Sequence, residues 1–289
     1  MDIDGVALVV GAGSGIGREV ALTLASRGAN PLVCADINLE AAKQTANMSQ
    51  SRKAPHVTDY KVHALQVDVR DEKGVQQMVD ETKSLFGRID YFVNTAGFGA
   101  SDQKPISSMT LEEYRSLDEI HNIGSFLCVR TVLQTMLQQE PQPMPVVGRP
   151  TVSSPRYMSR GSIVILTSLA SEGTFLGVGN YIAAKHAVKG LVQTAGSCKA
   201  VENARKSIRV NAVAPAFVSG PMMNKFLDGA PALKATMLGD LAMGRLVDPE
   251  EVADAVAFLV SASASYINGH TLTVDGGASL QLANTPFSG

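Results

Sequence analysis

The chain has 289 residues, 45 % of them apolar, and a formal net charge of -2. That is enough to bury a sizeable core, and it lacks the basic excess that would draw nucleic acid or an anionic membrane. Cys34, Cys128 and Cys198 lie far apart and the five histidines form no HExxH pair, which excludes a disulfide framework and leaves no zinc pattern, so no metal is expected. No apolar run approaches the roughly 20 residues needed to cross a bilayer. Met1-Asp2-Ile3-Asp4 lacks the basic start of a secretory signal. An intracellular, cytoplasmic protein is the expectation.

Val6 to Val10 reads as a wholly buried strand, and Gly11-Ala12-Gly13-Ser14-Gly15-Ile16-Gly17 leads from it into a helix running from about Ile16 to Arg27. The first glycine permits a tight turn, and the later ones let backbone approach a pyrophosphate and the helix approach the sheet. The helix start adds unpaired N–H groups and a positive dipole end. Arg18, just inside the helix, is expected to face the pyrophosphate or solvent. Leu32 to Ala35 is a second strand ending at Asp36, whose carboxylate can accept hydrogen bonds from an adenosine ribose. A 2′-phosphate there meets like charge, and Ser14 and Ile37 supply no offsetting cation. The cofactor expected is therefore NAD rather than NADP.

Residues 39 to 51 read as a helix, Val62 to Val67 as a strand, Gly74 to Phe86 as a helix and Ile89 to Asn94 as a strand. Asp68, with Val69 beside it, follows the third strand and either bonds the adenine amino group or caps the next turn. Asn94-Thr95-Ala96-Gly97 leaves the fourth strand with small residues, so Asn94, Ala96 and Gly97 are candidate cofactor contacts; an ordinary strand-end turn is the alternative. Short apolar strands alternating with helices imply a parallel sheet covered on both faces.

A long helix is expected over Leu111 to Gln138, then an irregular insertion at 139 to 160 with five prolines, a strand at Ser162 to Thr167 and a helix over Tyr181 to Asn203. Ile208 to Val213, Pro249 to Ser261 and Thr271 to Val274 complete the alternation as strand, helix and strand. The fold expected is α/β, a three-layer doubly wound parallel sheet of about seven strands of Rossmann type, with 1 to 289 as one domain. The insertion leaves from the face away from the carboxyl ends of the strands, where ligands of such sheets sit, and is read as a surface feature. Residues 217 to 243, rich in methionine and other apolar side chains, read as a substrate lid, because methionine accommodates varied shapes.

Tyr181 and Lys185 are four apart on one predicted helix face. A tyrosine hydroxyl is too weak a base near neutrality; an ammonium one turn away, with a positively charged nicotinamide nearby, is expected to lower its pKa, and the same lysine can hydrogen-bond the nicotinamide ribose. Ser168, just past the fifth strand of the sheet, offers a hydroxyl to a substrate oxygen. No nucleophile elbow or histidine–carboxylate pair makes it a hydrolase serine.

Together these residues resemble the short-chain dehydrogenase/reductase family from about Val6 to Gly277. The family's Thr-Gly-x-x-x-Gly-x-Gly turn falls on Val10 to Gly17, with valine for threonine. Its Asn-Asn-Ala-Gly falls on Asn94 to Gly97, its Tyr-x-x-x-Lys on Tyr181 to Lys185, and its serine on Ser168, thirteen residues before the tyrosine. Ile208 to Val213 and Val274-Asp275-Gly276-Gly277 match further motifs in order. The insertion resembles those of fungal members acting in secondary metabolism. The resemblance implies a fourth catalytic residue, an asparagine holding a water. Alignment through Gly124-Ser125-Phe126 puts His121 there, with Asn122 one residue late. Histidine can carry a water or relay a proton, whereas Asn122 would need a distorted turn. Pro215 to Gly220 departs from the family's Pro-Gly and threonine, leaving Pro215, the Val218 backbone or Ser219 to hold the nicotinamide amide.

The reading is an NAD-dependent oxidoreductase interconverting a secondary alcohol and a ketone on a bulky, mostly apolar small molecule. One alternative keeps the site for an isomerisation or cyclisation; another is a non-catalytic subunit. The resemblance implies a homo-oligomer, a tetramer first and a dimer second.

Overall fold

Ala7–Val10 (β1) is buried at every position because its side chains alternate between two cores: Ala7 and Val9 face one, Leu8 and Val10 the other. A strand covered on both faces has no polar alternation, which is why it reads as a plain apolar run. The computed structural model describes residues 3–99, 103–144, 158–175, 177–197, 206–220 and 241–280, with 223, 227, 238 and 239.

After β1 come Gly15–Ser26 (α1), Leu32–Asp36 (β2), Leu39–Arg52 (α2), Val62–Gln66 (β3), Glu72–Phe86 (α3) and Tyr91–Asn94 (β4). Leu111–Asp118 (α4), a π turn at Glu119–Ile123 and Gly124–Gln138 (α5) follow. Next are Gln142–Pro143 (β5), Met158–Ser159 (β6), Gly161–Leu166 (β7), Gly179–Ser197 (α6), Ile208–Pro215 (β8), Pro249–Val260 (α7) and Thr271–Val274 (β9). The seven-stranded sheet has the order β3-β2-β1-β4-β7-β8-β9, parallel throughout.

One core lies under α1 and α7, with Val20, Leu24, Val252 and Val256; the other lies under α3, α5 and α6, with Val75, Val79, Val132 and Val188. The strand order reverses between β1 and β4, so their carboxyl ends open a crevice at the switch point. The glycine-rich turn and Asn94 both stand there.

Two expectations change. The helix expected over 111 to 138 is interrupted by the π turn, where the Gly124 N–H reaches back five residues to the Glu119 carbonyl. The insertion begins and ends in order: β5 and β6 pair antiparallel as a two-residue ribbon, and Met144 packs into the first core. Its interior, 145 to 157, lies outside the described residues, as does most of the expected lid and the end of the helix expected to reach Asn203. Within the lid span, Leu227 is buried and Met243 exposed.

Candidate active site

At the nucleotide end, the glycine-rich turn is shaped mainly by the protein itself. Gly17 lies so close to the turn that a Cβ there would stand 2.0 Å from the Gly11 carbonyl oxygen and 2.4 Å from Thr95 Oγ1. Thr95 Oγ1 in turn donates to the Val10 carbonyl at 2.7 Å. Gly15, at φ +51°, faces open space instead. Ser14 makes no side-chain cap and the first turn of α1 carries no carboxylate, so its N–H groups are free of the usual anionic partners. This uncapped start beside an open glycine fits a pyrophosphate, which Gly11, Ser14, Gly15, Ile16 and Gly17 would hold.

Asp36 closes β2 with its carboxylate fixed: Oδ2 accepts the Gly13 N–H at 2.8 Å and Oδ1 the Asn38 N–H at 2.9 Å. Arg18, half-buried just inside α1, is engaged by the protein itself. Its guanidinium donates to the Gly13 carbonyl and, at 3.1 Å, to Thr45 Oγ1, because the turn leaves that carbonyl without a backbone donor. Ile37 is exposed beside Asp36. Asp68 is held by Arg70, whose Nε donates to Oδ1 and whose Nη2 donates to Oδ2, an ion pair that keeps its carboxyl below the ordinary range, and Val69 is buried against Gly124.

Asn94 is buried at the end of β4; its Oδ1 accepts the Ala96 N–H at 3.0 Å and its amide donates to Ser125 Oγ at 3.3 Å. Gly97, expected as a cofactor contact, follows at the exit of this strand, and the place of its missing side chain faces His121, where a Cβ would stand 2.1 Å from Cε1.

The π turn explains which residue of the His121-Asn122 pair is presented. An extra residue in the turn shifts the phase between α4 and α5, and His121 points inward, 2 % exposed, while Asn122 turns aside to donate to Asp118 Oδ1 at 3.0 Å. His121 Nε2 lies 2.8 Å from the Phe98 carbonyl oxygen, and the ring stands edge-on to Tyr181 with centroids 5.4 Å apart. Burial first, then the charge of Lys185, push the imidazole down to about 3, so it is neutral at physiological pH.

Ser168 caps a short 3-10 turn after β7 and hydrogen-bonds Tyr181 on α6. Asn180, just before that tyrosine, ties α6 to α4 by donating to the Glu113 carbonyl at 3.0 Å and accepting the Tyr181 N–H at 2.9 Å. Lys185 is 4 % exposed; its Nζ donates to the Leu166 carbonyl at 3.2 Å and lies 5.5 Å from the Tyr181 ring centroid. Burial pushes this ammonium down to about 7. The expected lowering of the Tyr181 pKa does not occur in the protein alone: burial raises it, opposed by the Ser168 hydrogen bond.

At the far side, Val218 bridges Val247 through the Ser219 N–H and the Phe217 carbonyl, so its own N–H points the other way. Pro215 ends β8 just before this segment. Ser219 is taken up by Asp248, to which its hydroxyl donates at 2.9 Å. Phe175 and Phe217 meet edge to face at 5.8 Å, and Phe98 stands 49 % exposed, its ring 6.3 Å from His121. Phe98, Phe175 and Asn180 went unnoticed in the sequence; the signal for Phe98 was an aromatic directly after the small residues at a strand's carboxyl end.

A family model described as short chain dehydrogenase matches residues 5–142, and one described as Enoyl-(Acyl carrier protein) reductase matches residues 150–279. Short-chain dehydrogenase anuF of Penicillium roqueforti is 38 % identical over 98 % of both chains. Levodione reductase is similar in structure, with a TM-score of 0.81, 32 % identity and coverage of 97 % of this chain and 99 % of that one. A 7α-hydroxysteroid dehydrogenase complexed with NADH and 7-oxo glycochenodeoxycholic acid has a TM-score of 0.79 at 28 % identity, covering 96 % and 95 %.

Proposed function

The chain belongs to the short-chain dehydrogenase family and is an oxidoreductase, and from that premise we propose that Ser168, Tyr181 and Lys185 interconvert a secondary alcohol and a ketone on a bulky, mostly apolar molecule with NAD. The observation that carries this reading is the convergence of the three side chains, the serine bonded to the tyrosine and the ammonium 5.5 Å from its ring.

When bound, the dinucleotide supplies or takes up the hydride at its nicotinamide ring. Ser168 orients the substrate oxygen beside Tyr181. The buried Tyr181 hydroxyl stays protonated at neutral pH, the form that donates to a developing alkoxide. In the reverse direction the same oxygen accepts the alcohol proton, and a charged Lys185 favours that phenolate. Asn94, Ala96 and Gly97 would line the site beside the cofactor, and the Val218 N–H would donate to the carboxamide oxygen of the nicotinamide.

Similar solved structures hold NADH or NADP, so the preference for NAD rests on Asp36. The apolar substrate is supported by the exposed Phe98 and Phe175 beside Phe217 and by the dione and oxo-steroid in the names of the two structures above. Among the described residues no helix is long and apolar enough to cross a membrane. Free, buried Cys34 and Cys128 suit a reducing cytoplasm. Exposed Leu111, Tyr114, Ile123 and Phe126 along α4, the π turn and α5 favour self-association, as a tetramer or dimer.

The test is reduction of a fused bicyclic ketone such as trans-1-decalone by Tyr181→Phe. Turnover should fall by about 10² to 10⁴, the usual worth of a positioned proton donor, with NAD(H) affinity within a few-fold of the parent. Near-normal turnover in the variant would remove Tyr181 from the reaction.

A further inference from the structure

His121 touches two parts of the site at once. On one side its Nε2 meets the Phe98 carbonyl at 2.8 Å. A carbonyl only accepts, so Nε2 carries the proton and Nδ1 is the bare nitrogen. On the other side the imidazole stands edge-on to Tyr181, the planes at 85°. Between them Gly97, at φ +150°, makes the room: a Cβ would lie 2.1 Å from Cε1 and 2.6 Å from Nδ1 of the ring. The loop and the imidazole are fitted to one another.

Resting on the site described above, we propose that His121 is a positioning residue: its Nε2–H fixes the Phe98 carbonyl, and with it the 94–98 loop and the Phe98 ring at the cleft mouth, while its edge sets the ring of Tyr181. Phe98 so placed is the wall against which the apolar face of a cyclic ketone packs.

The geometry argues against a proton relay through the ring. Passing a proton in at Nδ1 and out at Nε2 requires Nε2 to release its proton to its neighbour, and that neighbour is an amide carbonyl, which is not a base. The ionisable groups against the ring are Lys185 and Tyr181 on α6; the 94–98 loop adds only the carbonyl. Neither supplies a negative charge that would stabilise an imidazolium.

The experiment reads the imidazole directly in the full-length protein by ¹⁵N NMR, with H121Q identifying the signal. The expected result is a neutral ring protonated on Nε2 from about pH 5 to 9, since burial and the Lys185 charge disfavour a second proton. A glutamine amide can take the place of Nε2, whereas asparagine reaches only as far as Nδ1. The Gly97 and Phe98 amide signals should therefore stay near their parent positions in H121Q and move in H121N. With trans-1-decalone, H121N should raise KM up to about tenfold, the worth of one hydrogen bond, and H121Q much less. A proton on Nδ1, a doubly protonated ring above pH 5, or equal disturbance by the two variants would overturn the proposal. The tautomer is read in the parent protein, so it decides even if a variant fails to fold. It needs no turnover, so it stands apart from failure of the Tyr181 assignment.

Discussion

At the glycine-rich turn the close contacts crowd the backbone: Gly17 against the Gly11 carbonyl, Gly13 against the Asp36 carboxylate, and Arg18 tying the Gly13 carbonyl to Thr45. Around Tyr181 they join side chains from segments remote in sequence, and burial works against charge on each. It pushes Lys185 and His121 down and Tyr181 up. The nucleotide end is thus rigid because nothing else fits, while at the chemical end burial keeps His121 and Tyr181 neutral and poises Lys185 near neutrality, a balance that a ligand can tip. Substitutions at the first should act through packing, and at the second through protonation.

Gly17→Ala breaks the comparison most severely if it holds. Its Cβ would sit 2.0 Å from a backbone oxygen, which no side-chain rotation relieves. Overpacking of this kind costs about 3 kcal/mol or more, so the variant should unfold at markedly lower denaturant or not fold, and should lose NAD(H). Gly15→Ala is the control. That site is open, and only its φ of +51° is unfavourable, a cost of about 1 to 2 kcal/mol. Equal stability of the two variants in urea would show that the turn is not sterically set.

The same contrast explains what was legible in the sequence. The strands, the turn and Asp36 are written in contiguous residues with a local meaning, so the parallel sheet and its switch point could be read directly. Tyr181, Lys185 and Ser168 were found by spacing and resemblance. What escaped depends on how distant segments meet. A helical pattern over 111 to 138 carries no mark of the π turn that presents His121 and turns Asn122 aside. That Gly97 is also glycine because the imidazole of His121 fills the place of its side chain is a second reason the sequence does not reveal. That Tyr181 is raised in the protein without cofactor is not legible either, because spacing reports the lysine but not the burial.

Lys185→Met sharpens the protonation side. The folded value is about 7 against an ordinary 10.5, so between these pH values the unfolded chain binds more protons than the folded one. Stability of the cofactor-free protein should therefore rise with pH across that window, by at most about 1.4 kcal/mol per pH unit. This contribution is complete above the unfolded value and lost as pH falls through the folded one. In Lys185→Met the slope between about pH 7 and 9 should flatten, read by urea unfolding at several pH values. An unchanged slope would assign the titration to another group.

The smallest expected effect concerns Asp36, where the two regimes meet: a sterically fixed carboxylate that acts by its charge. Its oxygens accept the Gly13 and Asn38 N–H groups, so it cannot swing away from a 2′-phosphate. One unit of like charge at 4 Å costs about 1 kcal/mol even in water's dielectric, a phosphate carries more than one unit, and tenfold in affinity is about 1.4 kcal/mol. NAD(H) should therefore bind at least about tenfold more tightly than NADP(H) by calorimetric titration. A cation that could reverse this is Arg18, and it is engaged by the Gly13 carbonyl and Thr45. Asp36→Asn should narrow the preference by admitting the phosphate while keeping one acceptor for a backbone N–H. Arg18→Gln should leave the ratio nearly unchanged if the guanidinium stays with the turn. Equal affinities in the parent would sink the Asp36 argument, and a parent preference for NADP(H) lost in Arg18→Gln would show that the arginine leaves Thr45 to meet the phosphate.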